Sequence, residues 1–273
     1  MLPCLAQVCT LNAPFEQDIA DYAAGHCKAV ELWFGKLETY LDSHSLEDVK
    51  RLLDDHEMAA PVASFQGGLL TSQGEARRLA WEHFERRLTL CRDLAVRTIV
   101  VAGDVMQPLN QQDFDRLMMS LEQAAERATT YGVRVALEFQ ANAKLPNNLQ
   151  TAASLIAQIN HPLLGLCLDA FHYHTGPSKP EDLHHLTGDN LFHVQLCDLA
   201  GTAREMATDS DRVLPGDGDI ALTPLVQRLR EINYAGYVSV ELMNPQIWQI
   251  SPRSFGEIAM TALRKTLGLA SMD

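Results

Sequence analysis

Residues 133–139 read VRVALEF, an apolar run that follows Gly132 and carries one acidic side chain, Glu138, just before the polar sequence QANAK. A short apolar run bounded by turn residues is typical of a strand that is buried on both faces, as in a parallel sheet. Amphipathic segments precede it at residues 113–131 and follow it at residues 148–159. We therefore predict a strand flanked by helices, with Glu138 near the carboxyl end of the strand.

The same alternation of apolar run and amphipathic segment recurs along the whole chain. Predicted strands span residues 3–10, 29–34, 59–65, 98–102, 133–139, 164–168, 191–197 and 238–242. Predicted helices span residues 15–24, 46–57, 74–95, 113–131, 148–159, 180–186, 223–232 and 254–267. Eight strand and helix pairs predict an α/β fold, a (β/α)8 TIM barrel, with an open doubly wound sheet as the alternative.

Nothing in the sequence suggests a domain boundary or a dinucleotide site. No linker-like Ser/Gly or Pro tract interrupts the chain, so we predict one domain over residues 1–273. No GxGxxG motif opens a helix after the first strand, which argues against a dinucleotide-binding open sheet. The closed barrel remains the favoured prediction.

Composition restricts the partners. Twenty-two Lys and Arg against 35 Asp and Glu give a net charge of −13, which repels polyphosphate and excludes nucleic acid as an expected partner. The six cysteines form no CxxC motif, so we interpret them as reduced core thiols. No signal peptide is evident, and no apolar run reaches the roughly 18 residues of a membrane span. We expect a soluble cytoplasmic protein without a membrane partner, and the sequence leaves homo-oligomer formation open.

Polar side chains gather at the predicted carboxyl ends of the strands, where the active sites of α/β barrels lie. They are Glu31, Trp33, Gln66, Glu138, Gln140, Asp169, His172, His174, His193, Gln195, Asp198, Glu241 and Asn244.

Glu138 and Glu241 need a partner, because a carboxylate in an apolar strand is costly to bury alone. Glu138, Asp169 and Glu241, with one neutral ligand from the seventh strand, would form an oxygen-rich site for Mn²⁺, Mg²⁺ or Co²⁺. The alternative is that the acids pair with basic side chains, for which Arg134, Lys144 and Arg212 are the available residues.

The neutral ligand is Gln195 or His193, which alternate with apolar residues and so share one face of the strand. Gln195 is nearer the carboxyl end, so we favour its carbonyl oxygen, with His193 supporting it or the substrate. In LDAFHYH, the DxxH spacing brings Asp169 and His172 around one small site. Arg212, in RVLPGDGDI, is either a clamp for an anionic or hydroxyl-rich group or a solvated surface residue.

These motifs resemble the xylose isomerase-like barrels, a superfamily of sugar phosphate isomerases and epimerases that includes the fourth type of apurinic endonuclease. The resemblance runs from VELWFG through LEF, LDAFHYH, HVQLCD and RVLPGDGDI to VELMN. It implies a divalent metal, with Mn²⁺ expected and Mg²⁺, Co²⁺ or Zn²⁺ as alternatives, held by Glu138, Asp169, Gln195 and Glu241. Val213 and Leu214 stand where the endonucleases have histidine, which argues against DNA repair.

The resemblance also implies a mechanism. As in similar ketose epimerases, Glu138 and Glu241 would act as acid and base and exchange the proton α to a carbonyl. The intermediate would be a metal-stabilised enediolate. The implied substrate is a small, sugar-like polyhydroxylated carbonyl compound. Its expected contacts are Arg212, His193, Glu31, Gln66 and Asn244.

Gln195 supports a second hypothesis, because the similar epimerases have a histidine there and the bacterial 3-dehydroshikimate dehydratases have a glutamine. A dehydratase of a 3-dehydroshikimate- or inosose-like substrate would remove the same proton and then lose water, with His172 or His193 as the acid. A third hypothesis, a non-catalytic binding subunit on the same scaffold, is less favoured because the full set of candidate ligands is present.

Overall fold

The computed structural model describes residues 1–269. Its main feature is a closed eight-stranded parallel barrel, which confirms the predicted fold class. The barrel strands are β1 (Leu2–Ala6), β2 (Ala29–Trp33), β3 (Ala59–Gln66), β4 (Thr98–Gly103), β5 (Arg134–Phe139), β6 (Leu164–Asp169), β7 (Leu191–Leu196) and β10 (Tyr237–Val240). Around the barrel they follow the order β1, β10, β7, β6, β5, β4, β3, β2. Two short strands, β8 (Asp198–Leu199) and β9 (Arg212–Val213), pair antiparallel outside the barrel.

The α-helices follow the predicted segments, with two additions. They are α1 (Phe15–Ala24), α2 (Phe34–Leu41), α3 (Leu46–Asp55), α4 (Gly74–Asp93), α5 (Gln111–Thr129), α6 (Leu149–Ile159), α7 (Ala170–Thr175), α8 (Leu222–Glu231) and α9 (Pro252–Leu267). Short 3-10 helices span Gln7–Thr10, Pro180–His185, Asp209–Asp211 and Ile247–Gln249. The helix α3 begins at a capping box, in which the Ser45 side chain accepts from the backbone N–H of Asp48.

Contacts along the chain group it into two compact units. In the first unit, Met1–Pro61 with the described residues from Val194 onward, β1 pairs with β10 and the ring of Tyr22 lies 6.1 Å from that of Phe255. In the second, Val62–His193, β4 pairs with β5 and β5 with β6. A buried cluster of the second unit comprises Val62, Val100, Ala136, Cys167 and Phe192. The prediction of one domain over residues 1–273 stays a prediction, and residues 270–273 lie outside the described part.

Three local differences from the sequence-based prediction affect the functional residues. The first strand ends at Ala6 rather than Thr10, because Gln7–Thr10 turns into a 3-10 helix. Helix α2 begins at Phe34, directly after β2, although the predicted strand 29–34 included that residue. Helix α7 was also missed, although Asp169 caps it by accepting from the backbone N–H of Phe171 at 2.7 Å.

All six cysteines are buried thiols outside any disulfide, as predicted. Burial raises the pKa of the Cys27 thiol to about 11. Within residues 1–269, no helix combines the length and the apolar character needed to cross a membrane.

Candidate functional site

The second unit brings together two acids and one histidine, which we call the triad: Glu138, Asp169 and His172. Glu138 lies in β5 beside Cys167 of β6, Asp169 is the last residue of β6, and His172 follows in α7. One ligand atom from each side chain lies within 4.8 Å of the others. All three are buried, with exposed fractions of 5%, 0% and 5%. Two buried carboxylates at this spacing, with an imidazole beside them, can hold a divalent ion.

The distances within the triad favour an ion over a closed ion pair. His172 Nε2 is 3.8 Å from Glu138 Oε1 and 3.7 Å from Asp169 Oδ2, both beyond the usual hydrogen-bond distance. Two carboxylates this close repel each other at low dielectric, and a divalent cation offsets that repulsion. The oxygen atoms of the two carboxylates are ligands that Mn²⁺ and Mg²⁺ favour and that Zn²⁺ also accepts. The residues of the triad therefore fit the implied metal without fixing its identity.

The histidine of the triad is better suited to hold a proton than to bind the ion. The backbone N–H of Ala141 donates to His172 Nδ1 at 3.4 Å, which favours the neutral tautomer with its proton on Nε2. That proton faces the two carboxylates. A metal ligand at Nε2 would need the lone pair that this tautomer does not offer, so the geometry supports His172 as an acid.

The first unit contains a second polar group, which we call the glutamine cluster: Glu31, Gln195, Arg212 and Glu241. Gln195 Nε2 donates to Glu31 Oε1 at 2.8 Å and to Glu241 Oε1 at 2.9 Å. Arg212 Nη1 donates to Glu241 Oε2 at 3.0 Å. All four side chains are buried. The two acids of this cluster are therefore stabilised by protein donors.

The orientation of the Gln195 amide follows from these contacts. The NH₂ group of Gln195 is the only part of the amide that can donate, and it contacts a carboxylate oxygen of Glu31 and one of Glu241. The carbonyl oxygen of Gln195 therefore points away from these two carboxylates. This orientation is the one that an oxygen ligand to a cation requires. The choice of Gln195 over His193 as ligand stays a prediction; His193 is fully buried in β7.

Arg212 lies inside the protein, as a member of the glutamine cluster. It is buried, with 1% exposure, so the solvated alternative is wrong. Its Nε and Nη2 donate to Asp209 Oδ1 at 3.0 and 2.7 Å, and its Nη1 donates to Glu241. For Glu241, the alternative of an acid paired with arginine is thus the observed arrangement. Binding of a substrate group by Arg212 stays a prediction.

Asp198 holds the loop that carries Arg212. Its carboxylate accepts from the backbone N–H groups of Leu199, Gly216 and Ile220 at 2.8–3.0 Å. Gly216 has a φ of +93°, which a residue with a Cβ rarely adopts. The two glycines of RVLPGDGDI therefore serve a turn that folds back onto Asp198.

Two predicted substrate contacts are engaged within the protein. Gln66 Nε2 donates to the carbonyl of Gly67 at 2.7 Å, and its Oε1 accepts from Arg87 at 3.2 Å. Asn244 Nδ2 donates to the carbonyl of Arg212 at 2.9 Å. These contacts support the strand ends, and direct substrate binding by Gln66 and Asn244 stays a prediction.

A buried ion pair in the first unit, between Asp18 of α1 and Lys36 of α2, was not predicted from the sequence. Lys36 Nζ also donates to the carbonyl of Thr10 at 2.7 Å. Burial raises the pKa of Asp18 to about 7 and lowers the pKa of Lys36. The signal was present in the sequence, because Asp18 occupies the apolar face of α1 that Phe15 and Tyr22 define.

Comparison with known proteins agrees with this fold. The family model described as xylose isomerase-like TIM barrel matches residues 20–262. The chain is 29% identical over 191 residues to inosose isomerase of Bacillus subtilis, covering 69% of this chain and 68% of that protein. It is 28% identical over 241 residues to 3-dehydroshikimate dehydratase of Pseudomonas putida, covering 86% of this chain and 37% of that protein. The chain thus spans little more than a third of the dehydratase.

Two solved structures show the same fold. The IolI protein, crystallised with a zinc atom, has a TM-score of 0.92 and 24% identity, with 100% of both chains covered. D-psicose 3-epimerase of Clostridium cellulolyticum has a TM-score of 0.77 and 19% identity, covering 98% of this chain and 99% of that one. At these identities the likeness concerns the fold alone.

Proposed function

Because the chain belongs to the xylose isomerase-like TIM barrel family, we propose that it is a divalent-metal-dependent isomerase or epimerase of a small polyhydroxylated ketone of the inosose type. Its relatives in sequence are isomerases and dehydratases that act on sugar-like compounds. The name of the first of these relatives, inosose isomerase, gives its substrate class. We extend that class to this chain.

The triad is the observation that carries the proposal. The buried carboxylates of Glu138 and Asp169, with the imidazole of His172 beside them, each offer one atom within 4.8 Å of the others, and this arrangement supports a site for a divalent ion. When bound, such an ion would polarise a carbonyl and an adjacent hydroxyl of the substrate, which makes the proton on the carbon α to the carbonyl more acidic. The sequence also predicts Gln195 and Glu241 as ligands; that part stays a prediction, and the proposal rests on Glu138 and Asp169. We propose Mn²⁺ as the native ion, with Zn²⁺ as the first alternative.

The protein's own groups then have distinct tasks. Arg212 and Gln195 stabilise the negative charge of Glu241, which suits Glu241 to accept the α proton of the substrate. Glu138, which carries a proton at this stage, gives it to the former carbonyl carbon, and the adjacent hydroxyl loses its proton to His172 as it becomes the new carbonyl, which completes the isomerisation. His172, with its Nε2 proton directed at Glu138 and Asp169, supplies the acid for a substrate oxygen. Burial of these groups keeps bulk water from competing for the proton.

Proton exchange is the direct test. The Mn²⁺-loaded protein is incubated with an inosose in D₂O, and NMR follows deuterium entry at the carbon α to the carbonyl. We expect incorporation together with a second inosose isomer, and loss of both in Glu241→Gln. An inosose that remains protonated at that carbon, with the wild-type protein, contradicts the proposal.

The dehydratase is the second candidate, favoured by the relative that matches 86% of this chain and by Gln195. It shares the removal of the α proton, after which a β-hydroxyl leaves as water with a proton from His172. Incubation with 3-dehydroshikimate distinguishes the two functions. A new conjugated ultraviolet chromophore supports the dehydratase, whereas deuterium exchange of an inosose without loss of water supports the isomerase.

A further inference from the structure

Gln7 is the first residue after β1, and it begins the 3-10 helix Gln7–Thr10. Its side chain reaches the carboxyl end of β2, where Oε1 accepts from the backbone N–H of Trp33 at 3.0 Å. The residue is fully buried. Its amide group is therefore fixed between the ends of two barrel strands.

The donor end of the same amide is unused. Among residues 1–269, Gln7 Nε2 is buried and has no hydrogen-bond partner. A flip of the amide would not remove this mismatch, because it would place the NH₂ group against the N–H of Trp33. A buried donor without an acceptor is destabilising, so its presence calls for an acceptor from outside the chain.

The position of Gln7 indicates which acceptor this is. In the β1–β2 register Ala6 is paired with Glu31, a member of the glutamine cluster. Gln7 comes directly after Ala6, and its partner Trp33 lies two residues after Glu31. The unused donor thus lies at the strand ends of the first unit that also carry the glutamine cluster.

The main chain around Gln7 is held rigidly in place. Lys36 Nζ donates to the carbonyl oxygens of Gln7 and Thr10, at 3.4 and 2.7 Å, while its ion pair with Asp18 anchors the ammonium group. Since Oε1 is also engaged, the donor is preorganised before any ligand arrives. Preorganised donors of this kind discriminate between ligands that offer an oxygen and ligands that do not.

We propose that Gln7 is a substrate-specificity residue, whose Nε2 donates a hydrogen bond to one hydroxyl oxygen of the polyhydroxylated ketone. The inference rests on the proposed function for the identity of the ligand. It adds a contact from the residue that follows β1 to the predicted substrate residues, which lie elsewhere in the barrel.

Gln7→Glu removes the donor and adds a negative charge, while the carboxylate keeps an oxygen for the N–H of Trp33. We expect kcat/KM for the inosose to fall on the order of 10- to 100-fold, mainly through KM, with Mn²⁺ affinity unchanged. Against the deoxy-inosose that lacks the contacted hydroxyl, wild type and Gln7→Glu should be equally active. Wild-type kcat/KM in Gln7→Glu, or the same loss with every deoxy-inosose, would overturn the inference.

A second measurement does not depend on turnover or on the charge that Gln7→Glu introduces. The side-chain NH₂ resonance of ¹⁵N-labelled Gln7, assigned with Gln7→Leu, is followed while myo-inositol is titrated into the Mn²⁺-loaded protein. A saturable shift supports the contact, and a resonance that stays in place while other signals report binding contradicts it. Absence of deuterium exchange in the wild type would instead count against the proposed function.

Discussion

The triad of the second unit and the glutamine cluster of the first both bury two acids, yet they stabilise them differently. In the glutamine cluster, Glu241 accepts from Gln195 and Arg212 at 2.9 and 3.0 Å. In the triad, the nearest nitrogen of His172 stands 3.7–3.8 Å from the acids. The glutamine cluster contains its own cation, the guanidinium of Arg212. The triad has the spacing of a site for a metal ion.

This difference separates two roles that the sequence alone assigned to one set of acids. A carboxylate already paired with a guanidinium holds its negative charge and can accept a proton. Carboxylates held close together without hydrogen bonds between them are suited to a cation. Changes in the triad should therefore affect metal binding first, and changes in the glutamine cluster should affect stability and proton transfer.

The largest expected effect is on metal binding, in Asp169→Asn. Loss of one charged ligand should weaken Mn²⁺ binding at least about 100-fold and abolish deuterium exchange. Isothermal titration with MnCl₂ measures the affinity, and Glu126→Gln, an exposed acid of α5, is the matched control. Unchanged affinity in Asp169→Asn would show that the triad does not bind the ion.

Arg212→Met should lower the free energy of unfolding rather than the affinity for Mn²⁺. It leaves Glu241 buried without its guanidinium, which costs about 3–5 kcal/mol of the free energy of unfolding. Urea denaturation measures this, with Arg204→Met as the exposed control. If Arg212→Met were as stable as the wild type, the internal ion pair would not be what stabilises the cluster.

Asp209→Asn sharpens the comparison at a more exposed position. Asp209 accepts hydrogen bonds from both Nε and Nη2 of Arg212. The uncharged amide introduced by Asp209→Asn should hold the guanidinium less firmly, and kcat/KM should fall about tenfold. Asp211→Asn is the matched control in the same 3-10 helix, because Asp211 accepts from Thr208 instead. The informative result is a fall in kcat with Mn²⁺ affinity unchanged. Equal effects of the two variants would rule out a specific role for Asp209.

The smallest effect concerns pH and the buried pair of Asp18 and Lys36. Burial raises the pKa of Asp18 from 3.8 to about 7, so the folded protein keeps a proton that the unfolded chain releases. Its contribution to stability is therefore complete below about pH 4 and is lost as the pH rises to about 7. Thermal unfolding across this range should show a flatter pH dependence in Asp18→Asn. An identical pH profile in both proteins would contradict the assignment.

Much of the fold was readable in the sequence, because its signals are local. An acid within VRVALEF stands out against its neighbours, and that contrast correctly placed Glu138 at the end of β5. The DxxH spacing likewise brought Asp169 and His172 together, although α7 itself was missed. Its six residues carry too few apolar positions to show a helical period.

The partners within the glutamine cluster could not be predicted, because they are distant in the chain. Gln195 and Glu31 are 164 residues apart, and Arg212 and Glu241 are 29 apart. The sequence showed that each group is polar in an apolar setting, but not which donor meets which acceptor. The same limit concealed Gln7, whose importance rests on an amide proton that only the packing of β1 and β2 leaves without an acceptor.

The central claim, that Glu138 and Asp169 bind a divalent ion, is tested most directly by anomalous diffraction from crystals soaked in MnCl₂. We expect a manganese peak about 2.2 Å from a carboxylate oxygen of each residue, and its loss in Asp169→Asn. A peak elsewhere in the protein, or no peak at saturating Mn²⁺, would contradict it.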